Sequence, residues 1–351
     1  MNHNIPDEIY LKRCLELAAE GMGNVAPNPM VGSVIVHHNL IISEGYHRRY
    51  GEAHAEVNAI RSVSDISLLK ESKLYVNLEP CSHSGKTPPC TDLIIASGIP
   101  EVVVGTRDPN PLVAGRGIEK LVTAGINVTT GVLEDQCSFL NRRFFTYHMK
   151  KRPYIILKWA KSRDGMIDMM RENDCVSKPV WISNEVSKML VHKWRSEEQG
   201  IIVGTNTALL DNPKLNIREW SGSDPVRMVI DKDLLLPRSL NLFDNSQDTL
   251  VFNDICDKAE GRIKYIKIDF GISFLSDLMN HIYSEQIQSV IVEGGKMVLE
   301  TFIGEGLWDE ARVITGDKIF HRGVPSPVIH NVEPEEYRIM DDVLHIYRQS
   351  F

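Results

Sequence analysis

The chain has 351 residues, of which 42% are hydrophobic and 25% are charged, with 39 Lys and Arg against 47 Asp and Glu. At roughly 100–200 residues per domain, this length predicts two domains, each large enough to bury its own core. The net charge of −8 argues against a nucleic-acid coat, and neither a signal-peptide pattern nor a membrane-spanning apolar run is present. Six cysteines are too few for a disulfide scaffold in this length. We therefore expect a soluble, cytoplasmic protein of two globular domains.

The first half of the chain alternates helical and extended patterns. Apolar residues at helical spacing predict a helix over residues 8–21, with Asp7 as its N-cap. Further helices are predicted over 55–63, 91–96 and 115–124, and strands over 31–36, 40–46, 73–78, 101–105 and near 126–129. Strands and helices that alternate at this spacing favour a layered α/β domain.

The second half begins near residues 141–153, where basic and aromatic residues precede a new predicted strand. Strands are predicted over 154–159, 200–204, 226–231, 249–253, 263–268 and 289–293, with helices between them such as 185–195 and 296–303. The second domain is therefore also expected to be α/β.

The chemically informative segment is His54-Ala55-Glu56, followed downstream by Pro80-Cys81 and by Cys90. A hydrolytic deaminase needs a metal that makes hydroxide from water near neutral pH and a carboxylate that moves protons. One histidine and two thiolates supply three zinc ligands and leave a fourth position open, which is the catalytic arrangement. Glu56 lies at the start of a predicted helix, where it could move protons without binding the metal. The pattern matches H-x-E…P-C-x-x-C, the signature of zinc-dependent nucleobase deaminases.

Two other interpretations of these residues stay open. Eight residues, SHSGKTPP, separate Cys81 from Cys90, whereas the signature has two. The cysteines could be small buried hydrophobic residues, although the segment between them is too polar for a core. A closed structural zinc site would need a fourth protein ligand, for which His83 is the only nearby candidate. We expect the remaining thiols to be buried or incidental; they are Cys14, Cys137, Cys175 and Cys256.

Four segments of the first half, NPMVGSVIV, HRRYGEAHAEVNAI, EPCSHSGKTPPCTDLII and RDPNPLVAGRG, resemble the bacterial bifunctional deaminase/reductases of riboflavin biosynthesis (the RibD or RibG family). The long segment between the cysteines is itself typical of that family. In the second half, KWAKSRDG at residues 158–165 and the Glu293-Gly294-Gly295 segment agree with it. The resemblance implies a cytidine-deaminase-like, three-layer zinc-dependent pyrimidine deaminase domain over residues 1–148. It implies a dihydrofolate-reductase-like, NADPH-dependent reductase domain over residues 149–351.

The resemblance also implies two consecutive reactions. The first is the hydrolytic deamination of 2,5-diamino-6-(5-phosphoribosylamino)pyrimidin-4(3H)-one, and the second is the NADPH-dependent reduction of its ribosyl group to ribityl phosphate. His54, Cys81 and Cys90 match the ligands of one Zn²⁺, and Glu56 matches the proton shuttle. The positions that match the deaminase substrate pocket are Asn28, His47, Lys86, Asp108 and Asn110. Lys86 lies inside the polar loop between the cysteines, where a cation suits an anionic phosphate.

The residues of the second half do not by themselves indicate a nicotinamide enzyme, because no G-x-G-x-x-G follows the first strand. The strand–glycine–helix pattern at 289–303 could present backbone N–H groups to an anion. The resemblance implies that NADPH contacts Lys161, Trp181, Thr207, Asp211, Gly295, Lys296, Met297, Val298, Leu299, Glu300 and Thr301. It implies that the reductase substrate contacts Arg195, Leu215, Arg218 and Glu293. Arg195 and Arg218 suit bidentate recognition of phosphate.

One segment of the second half departs from the family. Pro179-Val180-Trp181 stands where the family usually has a serine two residues before the tryptophan, and the preceding stretch is longer and less glycine-rich. Either the loop is rearranged or the reductase is impaired, and the sequence indicates no proton donor for this half. The family commonly associates through its reductase domains, so we expect a homo-oligomer.

Three alternative functions stay open on the sequence alone. A deaminase could act on a base in RNA or on a free nucleoside, but the net charge and the lack of a basic stripe argue against RNA. A zinc-stabilised binding module without turnover would need a fully protein-ligated metal and a dispensable Glu56. An impaired second half would leave a deaminase with an inactive reductase-like domain. We expect a phosphorylated pyrimidine as the ligand, and neither a nucleic-acid nor a membrane partner.

Overall fold

The computed structural model describes residues 5–82, 88–110, 113–169 and 181–349. The chain divides into two compact units, Met1–Lys151 and Arg152–Phe351. None of the helices in the described ranges is long and apolar enough to cross a membrane.

The first unit is built on a five-stranded sheet of order β2-β1-β3-β4-β5. Its strands are β1 (Gly32–His37), β2 (Leu40–Tyr46), β3 (Ser72–Leu78), β4 (Glu101–Thr106) and β5 (Asn127–Thr130). Its helices are α1 (Asp7–Ala19), α2 (Ala55–Arg61), α3 (Cys90–Ala96), α4 (Arg116–Thr123), α5 (Glu134–Leu140) and α6 (Arg142–Lys150), with a 3₁₀ segment at Ile66–Glu71. Strand β1 is antiparallel to β2 and β3, whereas β3, β4 and β5 run parallel.

Neighbouring residues of a strand point to opposite faces of the sheet. Both faces of this sheet carry apolar residues. One face packs against α1 and α5 in a core of Tyr10, Leu11, Cys14, Val34, Val36, Tyr75, Val103 and Cys137. The other face packs against α2, α3 and α4 in a core that includes Ile35, Ala59, Ile60, Leu74, Val76, Ile94, Val102, Val104 and Leu121. The predicted three-layer α/β arrangement is confirmed.

One local prediction for the first unit differs from the structure. Pro6 is the N-cap of α1, and Asp7 lies in its first turn, where its carboxylate accepts a hydrogen bond of 2.8 Å from the Tyr75 hydroxyl. Residues 141–153, where a boundary was predicted, contain helix α6, and the division between the compact units after Lys151 falls within them. Phe144 and Phe145 of α6 are buried against Leu78.

The second unit is built on a ten-stranded sheet of order β11-β12-β10-β9-β8-β13-β6-β14-β17-β16. Its strands are β6 (Tyr154–Lys161), β8 (Gly200–Gly204), β9 (Val226–Ile230), β10 (Thr249–Asn253), β11 (Lys258–Glu260), β12 (Ile263–Lys267), β13 (Ser289–Val292), β14 (Glu310–Thr315), β16 (Glu335–Ile339) and β17 (Asp342–Arg348), while β7 (Met166–Met169) pairs with β15 (Gly323–Pro325). Its helices are α7 (Glu185–Glu197), α8 (Thr205–Asp211), α9 (Phe274–Ser284) and α10 (Lys296–Gly304). The seven strands from β12 to β14 are parallel, and the outer strands are antiparallel.

Helices cover both faces of this sheet, as a mostly parallel sheet requires. Helices α9 and α10 bury Leu278, Ile282, Leu299 and Phe302 on one face. Helix α7 buries Val191 and Trp194 on the other face, beside a cluster that contains Ala208 of α8. The prediction that the second half is α/β is confirmed. In both units, the carboxyl ends of parallel strands meet at one edge of the sheet, where loops can converge on a ligand.

Candidate active sites

His54, Cys81 and Cys90 come together at the carboxyl edge of the first sheet. His54 immediately precedes α2, Cys81 follows β3, and Cys90 is the first residue of α3. His54 Nδ1 lies 3.5 Å from Cys81 Sγ and 3.3 Å from Cys90 Sγ, and the three ligand atoms lie within 4.8 Å of one another.

These separations fit a zinc ion. With Zn–S near 2.3 Å and Zn–N near 2.05 Å, the N···S edge of a tetrahedron is about 3.6 Å. The three side chains therefore fit Zn²⁺ with one coordination position left over. His83, the alternative fourth ligand, lies outside the described residues.

The surroundings of Cys81 and Cys90 shift the pKa values of the two thiols in opposite directions. The thiol of Cys90, together with the His54 ring and the Cys90 backbone N–H that donates at 3.3 Å, lowers the pKa of Cys81 despite its burial. The hydrogen bond to Cys81, together with burial, raises the pKa of Cys90. Cys81 is thus held as a thiolate by its surroundings, and a metal would deprotonate its partner as well.

Glu56 lies in the first turn of α2 and is 3% exposed. Burial, with a contribution from Cys81, raises the pKa of its carboxyl group to about 7. A carboxyl group with a pKa near neutrality can both accept and donate a proton at physiological pH.

The buried His47 and the half-buried Asn28 form a pair next to the potential zinc ligands. The His47 ring lies 5.2 Å from the His54 ring, with Nδ1 3.1 Å from the Ala53 carbonyl and Nε2 3.1 Å from Asn28 Nδ2. Because a carbonyl only accepts, Nδ1 carries the proton, and Nε2 then accepts from the Asn28 amide. Burial lowers the pKa of His47, which agrees with this neutral form.

Two buried asparagines that the sequence analysis did not identify fix the chain beside Asn28. The side chain of Asn141 pairs with the backbone of Met30, accepting at 2.8 Å and donating at 2.9 Å. Asn77 donates to the Met30 carbonyl at 3.0 Å and accepts from Gly32 N–H at 2.8 Å. Because Asn77 and Asn141 lie far from Met30 in sequence, no local pattern could have revealed these bonds.

Asp108 and Asn110 follow β4, whose end lies beside the end of β3. The Asp108 carboxylate accepts from Asn110 N–H at 2.8 Å, and burial raises the pKa of Asp108 to about 6. Glu79 organises this loop: its buried carboxylate accepts from four backbone N–H groups, those of Asp108, Gly115, Gly117 and Ile118, at 2.8–3.3 Å. A Cβ added at Gly117 would lie 2.1 Å from the Pro80 carbonyl oxygen, so only glycine fits there. Glu79 was not among the residues predicted from the sequence, although it directly precedes Pro80-Cys81.

Of the other residues predicted for this half, Lys86 lies outside the described residues. Cys14 and Cys137 are buried core thiols and Cys256 is partly exposed, as predicted, while Cys175 lies outside the described residues.

The second unit holds a buried ion cluster around Glu293. The Glu293 carboxylate accepts two hydrogen bonds from Arg195, at 2.9 and 2.8 Å, and Lys158 Nζ lies 3.6 Å from the same carboxylate. Lys158 is on β6, Arg195 is on α7, and Glu293 follows β13, which pairs with β6. Lys158 lies in the KWAKSRDG segment but was not among the predicted site residues.

Charge within the cluster outweighs burial at Glu293. Burial alone would raise its pKa, but Arg195 and Lys158 lower it to about 2. Burial lowers the pKa of Lys158, with Arg195 adding to this effect and Glu293 opposing it.

The two arginines that were expected to recognise phosphate have different contacts and exposure. Arg195 directs its guanidinium group at Glu293 and at the Asn216 carbonyl, so its bidentate edge is already engaged. Arg218 is half-exposed, with weaker contacts to Asn216 and Glu219. Leu215 lies between α8 and Arg218 in the sequence. It is buried and has φ of +52°. The side chain of Arg218 is therefore more open to solvent than that of Arg195.

Two glycine turns of the second unit approach each other closely. A Cβ on Gly294 would lie 3.3 Å from the Gly204 backbone nitrogen, and one on Gly295 would lie 3.0 Å from Thr207 Oγ1. Gly204 ends β8 before α8, and Gly295 is the N-cap of α10. This cradle, which a Cβ would fill, fits a cofactor phosphate at a helix N-terminus.

The remaining residues predicted for NADPH occupy different environments. Leu299 is fully buried in the core. Met297 is largely exposed, Lys296 pairs with Glu300, and Thr301 bonds the Met297 carbonyl. Val298 packs over Gly204 and Gly294, and Asp211 ends α8. Lys161 ends β6, and the half-exposed Trp181 ring lies 4.8 Å from Lys188 Nζ. Pro179 and Val180 lie outside the described residues.

Comparisons with known proteins agree with this organisation. Residues 5–106 match the family model of the cytidine and deoxycytidylate deaminase zinc-binding region, and residues 153–326 match that of the RibD C-terminal domain. The chain is 38% identical to riboflavin biosynthesis protein RibD of Bacillus amyloliquefaciens, over 97% of this chain and 91% of the relative. It is 38% identical to RibD of Aquifex aeolicus (strain VF5), over 91% and 89% of the two chains. A crystal structure from Thermotoga maritima, of a diaminohydroxyphosphoribosylaminopyrimidine deaminase/5-amino-6-(5-phosphoribosylamino)uracil reductase, has a TM-score of 0.87 and 36% identity over 98% of both chains. The predicted fold class is confirmed.

Proposed function

Because this chain belongs to the RibD family of bifunctional deaminase/reductases of riboflavin biosynthesis, we propose that it deaminates 2,5-diamino-6-(5-phosphoribosylamino)pyrimidin-4(3H)-one and then reduces the ribosyl group to ribityl phosphate with NADPH. The observation that carries the proposal is the convergence of His54, Cys81 and Cys90 beside the buried Glu56. The name of the Thermotoga maritima relative refers to substrates of this class.

In the deaminase site, His54, Cys81 and Cys90 hold one Zn²⁺, which when bound supplies a nucleophile at neutral pH by lowering the pKa of water. Glu56 takes a proton from the attacking water and delivers it to the ring nitrogen. It then takes the proton of the newly attached hydroxyl group and transfers it to the amino group, so that ammonia leaves and a carbonyl forms at the same carbon. Neutral His47 holds the Asn28 amide in one orientation for the pyrimidine. Asp108, Asn110 and Lys86 complete the proposed substrate contacts.

In the reductase site, the Gly294–Gly295 turn and Thr207 hold the NADPH phosphates, with Trp181, Asp211 and Lys161 as further contacts. NADPH when bound supplies the hydride that reduces C1 of the ribosyl group. Lys158 donates the proton that the sugar ring oxygen needs when its bond to C1 breaks, since its ammonium group is buried and has a lowered pKa. Glu293 and Arg195 orient Lys158 and the sugar, and Arg218 binds the substrate phosphate.

The matches of both halves to one bifunctional family favour two activities over the other functions considered. A deaminase with an inactive reductase-like domain would not need the Lys158–Glu293–Arg195 ion cluster. A binding module would not need a buried carboxyl group with a pKa near 7 beside the metal ligands.

A coupled assay with zinc content measured on the same sample tests the proposal. We expect the protein to release ammonia from the diaminopyrimidine, and to oxidise NADPH only after that step or when the deaminated pyrimidine is added. Ammonia release without any NADPH oxidation would contradict the second activity. Zinc binding without ammonia release would contradict the first.

The family resemblance also underlies two proposals about the protein as a whole. We propose that it is a cytoplasmic homo-oligomer that associates through its reductase domains. Light scattering on the full chain, compared with the separated second unit, checks the oligomeric state.

A further inference from the structure

A second cluster of metal-ligating side chains lies in the first unit. It consists of His37, the last residue of β1, His38 in the following turn, and Glu71, the last residue of the 3₁₀ segment. Both histidine Nε2 atoms approach the same carboxylate oxygen of Glu71, at 3.9 and 3.8 Å. The two rings lie 4.0 Å apart, and the three potential ligand atoms lie within 4.8 Å of one another.

The backbone holds these residues together on two sides. His38 and Asn39 have φ of +49° and +65°, so they form the tight turn that joins β1 to β2. On the other side of β1, His37 pairs with Ser72 at the start of β3, which places the preceding Glu71 beside the histidines. The Glu71 side chain is 72% exposed. Two ligand atoms that each lie near 2.1 Å from a tetrahedral ion are roughly 3.4 Å apart. A rotation of the exposed Glu71 side chain is therefore enough to shorten the 3.8 Å between its carboxylate oxygen and His38 Nε2 to that separation.

The charges around the cluster leave Glu71 available to a cation. Within the described part of the chain, its carboxylate has no lysine or arginine partner, since the neighbouring Lys73 pairs with Glu101 at 2.7 Å. Two imidazoles and one carboxylate form a ligand set that favours borderline divalent ions such as Zn²⁺, Ni²⁺ and Cu²⁺ over Mg²⁺ or Ca²⁺.

This cluster is separate from the deaminase site. Strand β3 begins at Ser72, next to the cluster, and ends at Leu78, shortly before Cys81. At about 3.3 Å per residue, the seven residues of β3 place the two groups about 20 Å apart, at opposite ends of the same sheet.

We propose that His37, His38 and Glu71 bind a second divalent transition-metal ion, distinct from the zinc of the deaminase site. The ion ties the β1–β2 turn to the segment that leads into β3, and water completes its coordination. Because only three protein ligands contribute and two are exposed, this ion exchanges more readily than one held by two thiolates.

Titration of the zinc-loaded full chain, free of any histidine tag, with Zn²⁺ against a competing indicator tests the proposal. We expect one further equivalent per chain to bind, and to be lost in His38→Asn and weakened at least tenfold in Glu71→Gln. Both side chains are exposed, so these variants should fold, and an unchanged circular dichroism spectrum checks this. His330→Asn, which removes an exposed histidine of the second unit, is the matched control and should retain the extra equivalent.

Cobalt substitution distinguishes the two sites independently. Co²⁺ at the deaminase site gives thiolate charge-transfer absorption, whereas Co²⁺ at the proposed site should add d–d absorption without it. No second equivalent in the wild-type chain at a large excess of metal would overturn the proposal. A second equivalent that persists in both His38→Asn and Glu71→Gln would overturn it equally.

Discussion

Each of the two candidate active sites holds a buried glutamate, yet the two carboxyl groups have opposite pKa shifts. Burial, with Cys81 adding to it, raises the pKa of Glu56 to about 7. Burial acts in the same direction at Glu293, but Arg195 and Lys158 lower its pKa to about 2. Neighbouring charge, rather than burial, therefore decides which carboxyl group can exchange a proton near neutral pH. The first suits proton transfer, and the second suits holding cations in place.

The largest expected effect is on deamination. Glu56→Gln should lower the rate of ammonia release by about 10²–10⁴-fold, because it removes the proton carrier. Zinc content and NADPH oxidation with the deaminated substrate should stay unchanged. Glu52→Gln, an exposed change nearby, is the control and should have full activity. Deamination by Glu56→Gln at a rate near that of the wild type would assign proton transfer to another group.

The same substitution in the other site should lower stability as well as the rate of reduction. Glu293→Gln leaves Arg195 and Lys158 buried without a counter-charge, and we expect the free energy of unfolding of the second unit to fall by about 3–5 kcal/mol. All five tryptophans lie in this unit, so urea denaturation followed by tryptophan fluorescence reports on it selectively. Neither Glu56→Gln nor the exposed control Glu300→Gln should lower this value. An equal loss of unfolding free energy in Glu300→Gln would show that the effect does not depend on the ion cluster around Glu293.

Acid pH should reduce the difference between wild type and Glu293→Gln. The folded-state pKa of Glu293, about 2, is below its ordinary value of 4.5, so its contribution is fully present above pH 4.5. That contribution should decline as the pH falls from 4.5 towards 2, by up to about 3 kcal/mol in total. Denaturation of both proteins at several pH values measures the difference, in which effects common to both cancel. A difference that stays constant down to pH 3 would contradict the assigned shift.

A smaller effect is expected for the loop beside the deaminase site. Glu79→Gln replaces an acceptor of four backbone N–H groups by an amide that presents donors to some of them, and should cost about 1–3 kcal/mol. Because the loop carries Asp108, the KM of deamination should rise while NADPH oxidation stays normal. Glu119→Gln, exposed on α4, is the control. A normal deamination KM in Glu79→Gln would show that the loop does not depend on this carboxylate.

The smallest effect on stability is expected at Arg218. Arg218→Ala should raise the KM of the reductase substrate by about tenfold, or about 1.4 kcal/mol, while the free energy of unfolding changes by less than about 0.5 kcal/mol. Arg195→Ala should instead destabilise the second unit, because it leaves Glu293 with one cation fewer. Steady-state kinetics and urea denaturation of both variants separate the two roles. A raised KM without loss of stability in Arg195→Ala, together with a normal KM in Arg218→Ala, would assign phosphate binding to Arg195.

Local sequence was sufficient to predict most of the strands and to select the three potential metal ligands that the fold brings together, His54, Cys81 and Cys90. Apolar residues at adjacent or alternate positions identified the core strands of both sheets except β14, because the period of side chains along a strand is independent of what packs on it. The order of His54, Glu56, Cys81 and Cys90 identified a deaminase-type site, since metal ligands at the ends of consecutive elements keep a recognisable spacing. Helix α6 was missed because its burial depends on packing that its basic composition does not indicate.

Only the tertiary structure decided how the two sites are charged and held. Arg195 meets Glu293 across 98 residues, and Asn141 meets Met30 across 111, so neither contact has a local signature. The same is true of Glu79, whose neighbours in sequence do not reveal the loop that it anchors. A sequence shows which groups can ionise, but their pKa values depend on the charges and the water that folding brings to them or removes. For that reason, the sequence determined where the two buried glutamates lie along the chain, and the fold determined that one can transfer protons while the other holds cations in place.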